Sequence, residues 1–123
     1  MATIFADTHV IVWLATNDPR LPTNGRTALV EHGFSLSVAT AFEYAELHRR
    51  GRLPQRPTLV DILADFGATV EPLPAESWSI VDKLPPIHRD PVDRMLIAHA
   101  MIAEATLATA DINIRQYPVK TLW

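Results

Sequence analysis

Hydrophobic and polar positions along the chain switch repeatedly between a period of two and the helical spacing, and the switches define a series of short elements. Residues 3–6 read as a buried strand ending in Asp7, after which Val10, Trp13 and Leu14 keep helical spacing. Residues 24–32 form a modest helix stopped by Gly33, and residues 34–38 alternate as a second strand. Residues 39–50 run without a breaker and set Phe42, Tyr44 and Leu47 around an amphipathic helix closed by Gly51. Thr58 is a good N-cap for the run in which Leu59, Ile62, Leu63 and Phe66 repeat at i, i+3, i+4 and i+7, with Gly67 as its stop. A strand is expected at 69–73 and a short helix around Trp78, Val81 and Leu84. Asp90-Pro91 opens a long helix through Glu104, because proline at the first helical position after an acidic cap is a strong start. The last two strands fall at 106–109 and 119–122.

Strands alternating with helices over such short connections predict a mostly parallel sheet covered on both faces, a three-layer α/β/α sandwich. With 123 residues the chain has room for one domain. The ten prolines punctuate it without creating a linker or a low-complexity tract. No apolar run is long enough to span a bilayer, and a cytoplasmic, soluble protein with no membrane association is expected. The absence of cysteine removes a disulfide framework, a thiolate nucleophile and a zinc ribbon. Eleven Lys and Arg against fourteen Asp and Glu leave a formal charge of −3, so any polyanion has to be bound locally.

Four acids fall where the element pattern predicts convergence. Ligand sites in open α/β sheets form beyond the carboxyl ends of the strands, and Asp7 and Asp111 follow two of those ends. Glu43 is one turn into the helix after the second strand, and Asp93 is in the first turn of the long helix, so both can lean over the same edge. Carboxylates a few ångströms apart repel by several kcal/mol unless protonated or neutralised. A hard divalent cation, Mg²⁺ or Mn²⁺, suits an all-oxygen donor set. Such an ion activates water for in-line attack on a phosphodiester and offsets charge on the leaving oxygen, which makes phosphodiester hydrolysis the expected chemistry.

Each acid also has a structural reading. Asp7 and Asp90 can cap helices, Asp93 stands where a capping-box acid belongs, Glu43 can be solvated, and Asp111 can close a turn. Ser37 and Thr109, hydroxyls at strand ends, can satisfy backbone groups or support the acidic site. The five histidines fall in no ligand spacing, and only His9 lies beside a candidate acid. Arg49, Arg50 and Arg52 crowd the end of the Glu43 helix, where a phosphate track towards the site is expected, extended by Arg94. No P-loop or dinucleotide fingerprint is present.

Four segments in order resemble the PIN-domain ribonucleases, and within them the VapC-type toxins of toxin–antitoxin pairs. They are Ala6-Asp7-Thr8-His9-Val10-Ile11-Val12-Trp13-Leu14; residues 37–43 with Ala45 and Gly51-Arg52-Leu53; His88-Arg89-Asp90-Pro91-Val92-Asp93-Arg94-Met95-Leu96-Ile97-Ala98; and Thr109-Ala110-Asp111 with Tyr117-Pro118. Residue by residue, the family's acidic quartet falls on Asp7, Glu43, Asp93 and Asp111, with Thr8, Ser37 and Thr109 at its small polar positions and Asp90 as a further acid, ligand or cap. Tyr44-Ala45-Glu46-Leu47-His48 departs from the more apolar and basic subgroup pattern, so Glu46 either adds a fifth charge or points away.

The resemblance implies a PIN-like nuclease domain over residues 1–123, endoribonuclease activity dependent on Mg²⁺ or Mn²⁺, and neutralisation by a cognate antitoxin whose tail covers the acidic pocket, an Arg or Lys replacing the cation. It also implies a homodimer, with Trp13 or Trp78 expected in the core. The alternative is a PIN-like module that holds RNA or protein without cutting.

Overall fold

The computed structural model describes residues 3–123. The chain runs β1 (Ile4–Ala6), α1 (Thr8–Ala15), α2 (Thr23–His32), β2 (Ser35–Ser37), α3 (Val38–Arg49), α4 (Leu59–Phe66), β3 (Thr69–Glu71), α5 (Ser77–Lys83), α6 (Pro91–Ala103), β4 (Thr106–Ala108) and β5 (Lys120–Leu122). Each expected element is present, with ends shifted by one or two residues. The 3-10 turn at Ile114–Gln116 has no counterpart in the expected pattern.

The five strands form one sheet in the order β3-β2-β1-β4-β5, with every pair parallel. Phe5 of β1 stands in register with Ser35 of β2 and with Leu107 of β4. Because successive side chains leave a strand on opposite faces, three-residue strands are enough to feed two cores. Ile4, Ala6, Leu36 and Ala108 pack with Val10, Ile11 and Leu14 of α1, Leu29 of α2, Tyr44 of α3 and Ile62 of α4. Phe5 and Leu107 pack on the other face against Leu96, Ile97 and Ala100 of α6, Leu84 and Ile114. This is the α/β/α sandwich expected, with its sheet wholly parallel.

Polar side chains start the helices at the carboxyl edge of the sheet. Asp7 Oδ1 accepts from Val10 N at the start of α1, Ser37 Oγ from Ala39 N in α3, and Asp90 Oδ1 from Val92 N and Asp93 N in α6. Away from that edge, Thr58 and Asp61 form a reciprocal capping box on α4, and Gly67 closes the helix in the left-handed conformation at φ 61°.

Two expectations about aromatic residues are corrected. Trp78 is not in the core: it is 73% exposed on α5, because the face of that short helix turned to α6 is supplied by Ile80 and Leu84. Trp13 is only half-buried, resting on the first core beside Trp123 with ring centroids 5.6 Å apart. Among the described residues no helix is long and apolar enough to cross a membrane.

Ile97 is fully buried between α6 and the sheet, so Ile97→Ala is expected to cost about 2–5 kcal/mol in urea unfolding, as cavity-forming truncations do. Val60→Ala, at a position 75% exposed, is expected to stay within about 0.5 kcal/mol of the parent.

Candidate functional site

The carboxyl ends of β1 and β4 lie side by side, and residues from four separate segments meet beyond them. Asp7 follows β1 and its N–H donates to Ala108 O at 3.1 Å, which ties it to the end of β4. Glu43 comes from the second turn of α3, Asp90 and Asp93 from the start of α6, and Asp111 from the turn after β4. All five acids line a single cavity of about 420 Å³, together with Thr8, His9, Trp13 and Leu47. The four acids expected to converge therefore do converge, and Asp90 joins them.

Within the cavity the acids are not equidistant. Glu43, Asp90 and Asp93 each bring a carboxylate oxygen within 4.8 Å of the others, and Asp93 and Asp111 do the same with His88. Asp7 belongs to neither close group. It is 8% exposed, and burial pushes its carboxyl above the usual value despite hydrogen bonds from the Thr109 hydroxyl and the Val10 N–H. Thr109 Oγ1 also accepts from Asp111 N at 3.0 Å, so one hydroxyl links the acids that end the two neighbouring strands. Thr8 is buried under the site, its hydroxyl donating to the Glu43 carboxylate.

Asp93 is crowded as well as buried. Burial pushes its carboxyl up to about 7, and the charges of Asp90 and Glu43 add to the effect. Asp111 goes the other way. Burial raises it, but hydrogen bonds from His88 and from the N–H groups of Asn113 and Ile114 outweigh that and hold it below the ordinary carboxylate value. Neighbouring acids with their acidities driven apart mark a crowded anionic pocket rather than a set of solvated side chains.

The histidine that contacts the acids is His88, not His9. His9 lies on the rim with its ring edge-on to Trp13, whereas His88 Nε2 is 2.9 Å from Asp111 Oδ2 and 3.0 Å from Asp93 Oδ2. Sequence spacing missed it because its position depends on Tyr117, far along the chain. The Tyr117 hydroxyl accepts from the N–H groups of Ile87 and His88 at 3.2 and 2.8 Å and donates to Pro85 O at 2.7 Å. The Pro118 neighbour of that tyrosine and the two prolines before Ile87 are the available signal, and they mark a turn without naming its partner.

Arg94 departs from its expected place on a phosphate track. Its guanidinium donates to the carbonyls of Val81, Leu84, Pro85 and His88 at 2.8 to 3.3 Å, clamping the α5–α6 connection. Ser37 is likewise occupied elsewhere: besides capping α3 it lies 2.7 Å from His99 Nδ1, buried behind the sheet edge and outside the cavity. Arg49 pairs with Glu46 on the exposed side of α3, which turns that fifth acid away from the site. Arg52 lines a smaller cavity of about 340 Å³ that shares Thr8, His9, Trp13 and Leu47 with the acidic one, and Arg50 caps the end of α3 in solvent.

A carboxyl whose folded-state value is raised holds its proton more tightly in the folded chain than in the unfolded one. Its effect on stability is therefore lost as pH rises from the ordinary value of 3.8 through about 7. In EDTA the protein is expected to unfold at lower urea near about pH 8 than near about pH 5. Asp93→Asn is expected to flatten that decline and to be the more stable of the two at the higher pH. Unfolding curves at both pH values check this, and a parent whose stability rises over the interval contradicts it.

The family model described as PIN domain matches residues 4–120. No curated protein matches the sequence significantly. Among solved structures, VapBC2 from Rickettsia felis, bound to a DNA fragment from their promoter, is similar at a TM-score of 0.74 and 16% identity, over 98% of this chain and 97% of that one. FitAcB from Neisseria gonorrhoeae is similar at 0.61 and 19%, over 98% and 97%. A domain of a functionally unknown protein from Methanocaldococcus jannaschii is similar at 0.55 and 17%, over 100% and 91%. At these identities the likeness of structure speaks for the fold, and the match over residues 4–120 speaks for descent: the chain belongs to the PIN domain family.

Proposed function

We propose that this protein is an endoribonuclease toxin of the VapC type, dependent on Mg²⁺ or Mn²⁺ and neutralised by a cognate antitoxin. The observation that carries the reading is the crowding of five acids from four chain segments in one cavity at the carboxyl edge of the sheet, with Asp93 pushed up to about 7. The donor set fits a hard cation. Glu43, Asp90 and Asp93 offer oxygens within 4.8 Å of one another, and no sulfur donor is present anywhere in the chain apart from methionine. When bound, a divalent cation supplies the positive charge that offsets these carboxylates and acidifies a water for attack on phosphorus.

The chain's own residues do the rest. Asp93 and Glu43 are the proposed principal ligands, with Asp90 held beside them by its capping bonds. Asp7 and Asp111 orient the attacking water from the other wall, Asp7 steadied by Thr109 and Glu43 by Thr8. Arg50 and Arg52 are the proposed phosphate contacts, since Arg94 is committed within the fold and Arg49 pairs with Glu46 on the surface of α3. The half-buried Trp13 gives the cavity an apolar wall that limits access of water to the acids.

An antitoxin partner is supported by the likeness to VapBC2 and FitAcB, both two-component complexes by name. Its tail would enter the acidic cavity with an Arg or Lys in place of the cation. A homodimer in the cytoplasm belongs to the same reading.

Incubation of purified protein with RNA in Mn²⁺ or Mg²⁺ is expected to give cleavage that EDTA abolishes. Asp7→Asn and Asp93→Asn are each expected to lower the rate about a hundredfold or more, with the fold retained by circular dichroism. RNA left intact in both metals, or cut equally well by both variants, overturns the proposal and leaves a module that binds without cutting.

A further inference from the structure

Two sets of donor atoms flank Asp93. On one side Glu43 and Asp90 approach it; on the other, His88 and Asp111 do, each set within 4.8 Å. Counted by donor atoms alone, the cavity would offer two cation seats sharing one carboxylate. The His88 ring belongs to the second set, and the place of its proton decides whether that seat can be used.

Asp90 N donates to His88 Nδ1 at 3.1 Å, so the Nδ1 lone pair is used and the hydrogen-bond pattern assigns the ring proton to Nε2. That N–H faces Asp111 Oδ2 at 2.9 Å and Asp93 Oδ2 at 3.0 Å. A ring nitrogen carrying a proton has no lone pair for a metal. To free it, the proton would have to move to Nδ1, which would then point an N–H at the N–H of Asp90. That backbone group belongs to the residue whose side chain caps α6 through Val92 N and Asp93 N.

The rest of the arrangement is equally fixed. Asp111 Oδ1 accepts from Asn113 N at 2.8 Å and from Ile114 N at 3.3 Å, so both oxygens of this carboxylate have partners. The His88 backbone is held on both sides, its N–H by Tyr117 Oη at 2.8 Å and its carbonyl by Arg94 Nη1 at 3.3 Å.

We infer that His88 is a positioning residue that limits the acidic cavity to one divalent cation: its ring N–H occupies the Asp93–Asp111 side and leaves the Glu43–Asp90–Asp93 side as the single seat. This rests on the reading of the cavity as a cation site. The His88 N–H keeps Asp93 and Asp111 together without a second metal, and it directs the remaining oxygen of Asp93 towards Glu43 and Asp90.

Mn²⁺ titration of the full chain, followed by calorimetry and by electron paramagnetic resonance, tests the count. The parent is expected to bind one Mn²⁺ per chain. His88→Ala, which opens the second side, is expected to bind two, with the spectral broadening of a close Mn²⁺ pair. His88→Gln carries an amide N–H with nearly the reach of Nε2 and is expected to return the count to one. Two Mn²⁺ on the parent overturn the inference without any variant, as does a folded His88→Ala chain that still binds one. In both cases the cation reading survives, whereas a parent that binds no Mn²⁺ overturns that reading and this inference together.

Discussion

Mutual repulsion among carboxylates is the constraint around which this molecule is arranged. Five acids share a cavity of about 420 Å³, and at an effective dielectric of about 20 each close pair costs several kcal/mol when both are ionised. A chain free to relax would separate them. Asp7, Glu43, Asp90, Asp93 and Asp111 stay together because each lies in a rigid element or within three residues of one, and the elements are locked by two apolar cores on opposite faces of one parallel sheet. Burial of Phe5, Ile97 and Leu107 thus sustains an arrangement that the charged groups themselves oppose.

The same polar groups serve the scaffold and the site. Asp90 spends one oxygen on the first N–H groups of α6, which fixes its carboxylate beside Asp93 and Glu43. Asp7 caps α1 while standing at the cavity wall, and Thr109 joins the ends of β1 and β4 through a single hydroxyl. A helix cap and a ligand need the same thing, a carboxylate held at a helix start, so the structural and chemical readings of these residues are not alternatives. The positive end of each helix also faces the acids and lowers the cost of gathering them, by a few tenths to about 1 kcal/mol per helix.

What was legible in the sequence follows from the range of the interactions involved. Strand and helix identities rest on periodicity, and Pro91 after Asp90, Thr58 before Leu59 and Gly67 after Phe66 are local signals, so the elements and the parallel sandwich could be read directly. The meeting of Asp7, Glu43, Asp93 and Asp111 could be read too, because a parallel sheet with short connections brings its carboxyl ends to one edge. His88 could not be read. Its place depends on Tyr117 and on four carbonyls gathered by Arg94, and nothing in the spacing of either residue marks that pairing. Arg94 reads as part of a phosphate track for the same reason: arginine near an acidic helix start looks like a ligand contact until the carbonyls of the α5–α6 connection are known to converge on it. Trp78 failed on a different ground, since α5 has two turns only and needs one apolar stripe, which Ile80 and Leu84 already supply.

The clamp built by Arg94 and Tyr117 gives the acidic edge its asymmetry. On the α3 side, Glu43 is steadied by a hydroxyl, Thr8, which can rotate. On the α6 side, Asp111 is held by a ring N–H and two backbone N–H groups and sits below the ordinary carboxylate value, and the loop that carries the ring is tied by five hydrogen bonds, three with the Tyr117 hydroxyl and two from Arg94 to Pro85 O and His88 O. Under the proposed nuclease reading the pocket accepts a cation and releases product, and one adjustable wall beside one fixed wall suits both steps. Asp93 stands between the two, raised chiefly by its burial and further by the charges of Asp90 and Glu43, while His88 pulls the other way.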